Sequence, residues 1–227
     1  MDFLDRFYLL AGTNALKLQN LKVLIVGLGG VGSYVLESLA RCGVLNFTIV
    51  DYDLVDVSNI NRQIYALHST IGMKKVDVAK ERVKDISPNS NINVIDTKIT
   101  KDNIDILNIE EFDFIVDACD SLDVKKELLR ICKLKNKKLI MSMGTANKLD
   151  PTRLKITDLS KTNYDPIAKI LRKYVKDNHI KGKIPVVSSD EVPIKLNGKL
   201  GSVSFVPSVA GLFITSYIVR EVIYEKN

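Results

Sequence analysis

A short apolar run that ends on a cluster of glycines constrains this chain more than any other feature. Lys22-Val23-Leu24-Ile25-Val26 passes directly into Gly27-Leu28-Gly29-Gly30-Val31-Gly32-Ser33. A run of that length bounded by glycine predicts a strand buried on both faces, as in a parallel sheet. From Val31 to Cys42 the apolar residues Val31, Val35, Leu36, Leu39 and Ala40 recur at helical spacing, and Gly43 is placed as a C-cap. Phe47-Thr48-Ile49-Val50-Asp51 predicts the next strand. Strand, glycine turn, helix, strand is the opening unit of a doubly wound fold.

Within the turn, Gly27 allows the tight bend, Gly29 and Gly30 let the backbone approach a phosphate, and Gly32 lets the helix pack closely. Free N–H groups and the helix dipole then favour an anion. Asp51, 19 residues beyond Gly32, is placed to accept hydrogen bonds from ribose hydroxyls. On these residues alone a nicotinamide or flavin site fits as well as ATP. A P-loop does not fit, because no Lys-Ser/Thr pair follows the last glycine.

Helices are predicted over Lys75 to Ile86 and Leu122 to Lys135, and strands over Ile92 to Ile95, Phe112 to Asp117 and Lys138 to Met143. That alternation predicts an α/β fold, doubly wound and Rossmann-like, on a mostly parallel sheet. After Gly144 the rhythm changes. Arg153 to Thr157 alternates like a half-exposed strand, Pro166 to Asn178 is an amphipathic helix, and Pro207 to Tyr224 is a largely apolar one. Gly182 to Gly201, rich in Gly, Pro, Ser and charge, is expected to be a long mobile loop. The expected organisation is a helical arm over 1–20, a nucleotide-binding domain over 21–145, and a C-terminal α+β extension over 146–227 for substrate binding and dimerisation.

Composition narrows the function. No apolar run reaches the roughly 20 residues of a membrane span, and the first residues lack the order of a signal peptide. A cytoplasmic protein is the expectation. Cys42, Cys119 and Cys132 include no CxxC pair, which argues against a disulfide scaffold or a four-cysteine zinc site. His68 and His179 are too far apart to suggest a metal cluster. Residues 121–200 hold 19 Lys and Arg against 8 Asp and Glu, while the remainder holds 14 against 19. A polyanionic partner for the basic part is one reading, and solvated lysine-rich faces the other. Lys169, Arg172, Lys173 and Lys176 fall on one face of their helix, opposite Ile167, Ile170, Leu171 and Tyr174. RNA phosphates would suit that stripe, as would water.

Three residues separate ATP from a dinucleotide. The segment from Asp51 to Gln63 carries Arg62, Gly72-Met73-Lys74-Lys75 opens a helix with a lysine, and Asp117-Ala118-Cys119-Asp120 closes a strand. A reacting triphosphate needs cations on the departing pyrophosphate and a carboxylate for magnesium. Taken singly, Arg62 is also readable as a surface ion pair, Lys75 as a solvated helix residue and Asp120 as a helix N-cap.

Together they complete a pattern: Gly27-x-Gly29-Gly30-x-Gly32-Ser33, Asp51-x-Asp53, Ser58-Asn59-x-x-Arg62-Gln63, Gly72-x-x-Lys75 and Asp117-x-x-Asp120. The chain resembles the HesA/MoeB/ThiF superfamily of ubiquitin-activating-like adenylating enzymes. Through Asp150-Pro151-Thr152, Thr157 to Thr162, Asp165-Pro166 and Gly201 to Gly211, it is most similar to the family of tRNA threonylcarbamoyladenosine dehydratases. The resemblance implies ATP and Mg2+ as cofactors, with Asp51 on the ribose, Asn59, Arg62, Gln63 and Lys75 near the phosphates, and Asp120 on magnesium. It implies a homodimer in which Arg6 reaches the partner's site, and tRNA as substrate. It leaves open a sulfur-transfer or electron-transfer protein as a further partner.

The implied chemistry is adenylation of a threonyl carboxylate followed by ring closure from the neighbouring urea-like group, with net loss of water. The zinc-binding cysteine pairs of the sulfur-carrier activators are missing, and no cysteine follows Cys132. Both departures argue against a ubiquitin-like carrier as substrate. That activator reading, a NAD-dependent oxidoreductase and a non-catalytic nucleotide-binding scaffold stand as alternatives.

Overall fold

The computed structural model describes residues 3–224; the ends of the expected arm and extension, 1–2 and 225–227, lie outside them. Seven strands form one sheet in the order β3-β2-β1-β4-β5-β7-β6. The strands are β1 (Lys22–Val26), β2 (Asn46–Val50), β3 (Asn91–Ile95), β4 (Phe114–Asp117), β5 (Lys138–Ser142), β6 (Leu154–Asp158) and β7 (Pro185–Ser189). Every pairing is parallel except β6 with β7. The helices are α1 (Asp5–Ala11), α2 (Gly32–Arg41), α3 (Lys75–Ile86), α4 (Leu122–Leu134), α5 (Pro166–Asp177) and α6 (Phe205–Ile223).

The sheet separates two cores. Residues of α2, α3 and α6, among them Val35, Val76 and Ile214, pack with Val23 and Ile25 on one face. Residues of α4 and α5, among them Leu128 and Leu171, pack with Leu24 and Val26 on the other. Alternate side chains of β1 thus enter opposite cores, which explains its unbroken apolar run. Helices on both faces of a mostly parallel sheet are the doubly wound architecture.

Three expectations need correction. The segment expected as a loop over Gly182 to Gly201 contains β7, which joins β5 through Met141–Val186 and Ser142–Val187. The residues after it are tied down: Ile194 N donates to Asn147 O at 2.8 Å, Gly201 N donates to Asn147 Oδ1 at 2.6 Å, and both Glu191 oxygens accept from the Leu149 and Asp150 amides at 2.9 Å. On α5 the buried side is Ala168 and Leu171 with Ile167, Tyr174 and Val175 packed beside them. Ile170, assigned to the apolar face, is 42% exposed.

The third correction concerns α6. By length and composition it is apolar enough to cross a membrane, with a mean hydropathy of 1.4. Its Val206, Ala210, Ile214, Ile218 and Val222 lie in the core, so one side of that apolar character is satisfied within the fold. A Cβ on Gly211 would stand 2.6 Å from Val31 O. Only glycine lets α6 cross α2 so closely, and that crossing carries the start of α6 to the glycine turn.

Candidate active site

Chain order reverses at β1, between β2 and β4. In open α/β sheets ligands gather at such a switch point, outside the carboxyl ends of the strands. The glycine turn lies there. Gly27 has φ of 93°, and a Cβ on it would stand 2.7 Å from Ala118 O at the end of β4. A Cβ on Gly32 would stand 1.9 Å from Gly27 O. Neither position tolerates a side chain.

Gly29 is different, since its Cβ would meet only Gln63 Nε2 at 3.9 Å. No steric demand of the protein explains this glycine; room for a ligand does. Beside it, a Cβ on Gly30 would stand 3.3 Å from Arg62 Cγ and 3.1 Å from Pro207 Cβ. Arg62 and Gln63 therefore lie over the turn, where the family resemblance implied they would be. Among the described residues no acceptor meets the N–H groups of Gly29, Gly30 or Val31. Ser33 Oγ and Gln63 Oε1 are buried without a partner. Buried polar groups are almost always paired, so an unsatisfied cradle in this place is suited to phosphate.

Asp51 closes the turn from the side. Its Oδ2 accepts from Leu28 N at 2.7 Å and its Oδ1 from Asp53 N at 2.9 Å. One amide of the turn is thus spent on Asp51 and not left for a ligand. Tyr65 donates to Leu28 O; burial first, then the nearby Asp51 and Asp53 charges, push its pKa well up. Asn59 is buried and accepts from Asp56 N at 3.2 Å, which shapes the turn that delivers Arg62. Arg62 Nη1 donates to Ser58 O at 2.8 Å and Asn61 Oδ1 at 2.9 Å.

Lys75 is buried, with Nζ 2.6 Å from Asp53 Oδ2 and 4.0 Å from Asp51 Oδ1. A phosphate reaching Lys75 would have to share it with Asp53. Asp120 is exposed and unpartnered among the described residues. The helix cap is Ser121, whose side chain accepts from Val124 N; Asp120 is left free of that duty.

Sequence reasoning missed two buried ion pairs. Lys125 Nζ lies 3.0 Å from Asp117 Oδ2 and donates to Ser142 O at 2.9 Å, with the two side chains 1% and 0% exposed. Burial opposes the Lys125 charge, but the carboxylate of Asp117, with Asp165 farther off, outweighs it and raises the pKa. Lys148 Nζ lies 3.3 Å from Asp165 Oδ2 and donates to Gly144 O at 2.7 Å. The same Asp165 accepts from Gly144 N at 2.9 Å and caps α5 through Ala168 N at 2.9 Å. The pairs pin the ends of β4 and β5 and the start of α5 to one another. Neither a lysine on an amphipathic helix, as Lys125 is, nor one in a loop, as Lys148 is, carries a signal of such a role.

The remaining predicted residues lie elsewhere. Leu4 packs on Gly43, beyond the far end of α2 from the turn, so Arg6, exposed on α1, is not brought to the turn of its own chain. Arg172 turns inward and donates to Thr162 O at 2.8 Å and to Thr162 Oγ1, which removes it from the basic stripe. Lys169, Lys173 and Lys176 remain exposed. Cys119 donates its Sγ–H to Asp117 Oδ1 at 3.1 Å, and burial, then the Asp117 charge, push its thiol well up. Burial raises Cys42, and pushes Cys132 up to about 12. None is disposed to be a thiolate.

A glycine turn with unpaired donors, an acidic residue after β2 and cations over the turn define a nucleotide-binding α/β protein of the doubly wound class. The chain belongs to the ThiF family, whose model matches residues 5–220. It is 38% identical over 224 residues to the tRNA threonylcarbamoyladenosine dehydratase of Bacillus subtilis (strain 168), covering 91% of this chain and 88% of that protein. The crystal structure of the E. coli tRNA N6-threonylcarbamoyladenosine dehydratase in complex with AMP superposes with a TM-score of 0.90 at 31% identity, over 96% of this chain and 93% of that one. The E. coli enzyme in complex with ATP gives 0.90 at 32% identity, over 96% and 92%.

Two glycines of the turn should separate folding from binding. Gly32→Ala is expected to cost about 3 kcal/mol or more in urea unfolding, since the Cβ must displace backbone. Gly29→Ala should change stability by about 1 kcal/mol at most, yet weaken ATP about tenfold or more in calorimetric titration. Equal stability losses for the two variants would contradict this division.

Proposed function

We propose that this chain is an ATP-dependent dehydratase that adenylates the threonyl carboxylate of threonylcarbamoyladenosine in tRNA and closes it into a ring. The observation that carries this reading is Arg62 and Gln63 lying over a glycine turn in which the Gly29, Gly30 and Val31 N–H groups have no acceptor among the described residues. Similarity to the named dehydratases over nine-tenths of the chain supplies the substrate.

A carboxylate is a poor electrophile because its leaving group would be oxide. Its oxygen attacks the α-phosphorus of ATP, the bond to pyrophosphate breaks, and a mixed acyl phosphate anhydride forms. The urea-like group of the same nucleoside then attacks the activated carbonyl, loses a proton, and AMP departs with the former carboxylate oxygen. The attack is intramolecular and gains from effective concentration. No protein nucleophile is required, in keeping with three thiols whose pKa values are all raised.

Arg62 and Lys75 would neutralise charge developing on pyrophosphate, and Asp51 would hold the ribose. Asp120 fits magnesium, an ion usually held by one or two carboxylates plus substrate phosphates; no group of three or more His, Cys, Asp or Glu suited to a metal occurs among the described residues. Bound there, the ion would add positive charge beside the phosphates. The setting would be the cytoplasm.

A homodimer belongs to the same proposal. Leu9 and Leu10 on α1, and Phe205 and Leu212 on α6, are exposed apolar side chains. Burying them against a second copy would bring Arg6 of one protomer toward the other's site.

Nucleosides from tRNA treated with enzyme and ATP should show threonylcarbamoyladenosine lighter by one water, with AMP and pyrophosphate released. Lys75→Ala and Arg62→Ala should each slow that conversion about 100-fold. An unchanged nucleoside while ATP is consumed would overturn the reading. If Arg6 acts across a dimer, mixing inactive Arg6→Ala and Lys75→Ala chains should restore turnover, because a mixed dimer contains one intact site. Failure of mixing to restore any activity, with mixed dimers verified by mass, would remove Arg6 from the partner's site.

A further inference from the structure

We infer that Tyr164 is a stacking platform for an unpaired RNA base, set between the reaction site and the lysines of α5. The inference deepens the tRNA reading and rests on it.

Tyr164 is 64% exposed and has φ of 54°. A bulky residue in the left-handed region is a costly choice where glycine or asparagine would fit. Nothing in the core repays that strain, because the ring is outside it. The position is held rigidly from its C-terminal side. Asp165, the next residue, is fully buried and bonded to Gly144 N, Lys148 Nζ and Ala168 N. Gly144 follows the end of β5, the neighbour of β4, and so lies along the same carboxyl edge of the sheet as the glycine turn. The ring is thus anchored one residue from the reactive edge of the sheet.

Its neighbours are cationic. Asp165 is the N-cap of α5, which makes Tyr164 the residue before the cap and Lys169 the fourth of the helix. Side chains at those two positions ordinarily meet as an apolar pair. Here the second position holds a lysine, so an exposed aromatic side chain and an exposed ammonium lie at the same end of the helix. Lys161, Lys169, Lys173 and Lys176 are exposed, and Lys169, Lys173 and Lys176 make no ion pair among the described residues, while Lys161 lies near enough to Asp158 to feel its charge. Ile170 adds an exposed apolar surface between Lys169 and Lys173. Sequence-specific RNA recognition uses splayed bases stacked on aromatic rings, with cations on the backbone. A single-stranded RNA loop fits this surface by charge as well as by shape. A protein surface would need acidic groups to match the same lysines.

The test compares the full chain with Tyr164→Gly and Tyr164→Phe on two synthetic RNAs, a stem-loop and a blunt duplex of equal length. The expected result is stem-loop affinity about tenfold or more weaker for Tyr164→Gly, and within about twofold of the parent for Tyr164→Phe. Duplex affinity should be alike in all three proteins. Glycine relaxes the backbone at a positive φ, so the thermal midpoint of Tyr164→Gly should not fall, and lost binding cannot be lost folding. Unchanged stem-loop affinity, an equal loss on duplex, or a change in oligomeric mass would overturn the inference. The parent protein distinguishes the two levels. If it removes water from tRNA while Tyr164→Gly binds the stem-loop equally well, only the platform falls. If it neither binds the stem-loop nor dehydrates tRNA, the substrate reading falls and the platform with it.

Discussion

The closeness of backbone to backbone around Gly27 and Gly32 is the constraint on which the carboxyl edge of the sheet depends. Gly27 sits against Ala118 at the end of β4, and Gly32 against the carbonyl of Gly27. A methyl group at either position would push α2 away from the sheet. With α2 seated, the Gly29, Gly30 and Val31 amides that lead into it are left unpaired among the described residues, and α6 can cross it at Gly211. That crossing brings Pro207 against Gly30 and leaves room for Arg62 on the same glycine. A phosphate cradle and the cation above it therefore share one steric cause.

Charge supplies a second layer of positioning. Asp51 binds the turn through Leu28 N and stands near Lys75, which Asp53 holds at 2.6 Å. Farther along the edge, Asp117 with Lys125 and Asp165 with Lys148 occupy sites almost without water. A buried pair of this kind is often no more stabilising than apolar residues of the same volume, while removing one partner strands a charge. Its value here is geometric. It joins β4, β5, the 144–150 segment and α5, so that the nucleotide edge and the basic helix keep a fixed relation.

The glycine turn and the strands up to β5 were legible because their causes are local, while the cluster of Asp51, Arg62, Gln63 and Lys75 was legible through the motif pattern that carries the family resemblance. Positive φ, close approach and apolar periodicity leave marks in neighbouring residues. β7 left none: Ser188 and Ser189 are buried by pairing with strands distant in sequence, and the flanking Gly, Pro and charge imitate a loop. Arg172 was misread because an inward bond to the Thr162 carbonyl does not alter helical spacing. Ile170 was misread because the buried side of α5 is chosen by its contacts with α4 and the 159–161 turn. Lys125 and Lys148 were invisible, since the acids that bury them arrive from other elements.

The central claim is that a carboxylate of the substrate attacks the α-phosphorus of ATP at this turn. The direct measurement is the fate of oxygen-18 placed in the threonyl carboxylate of threonylcarbamoyladenosine in tRNA. Mass spectra after one turnover should show one labelled oxygen in AMP and one retained in the cyclised nucleoside. Label appearing in pyrophosphate or orthophosphate, or AMP released without label, would contradict the account.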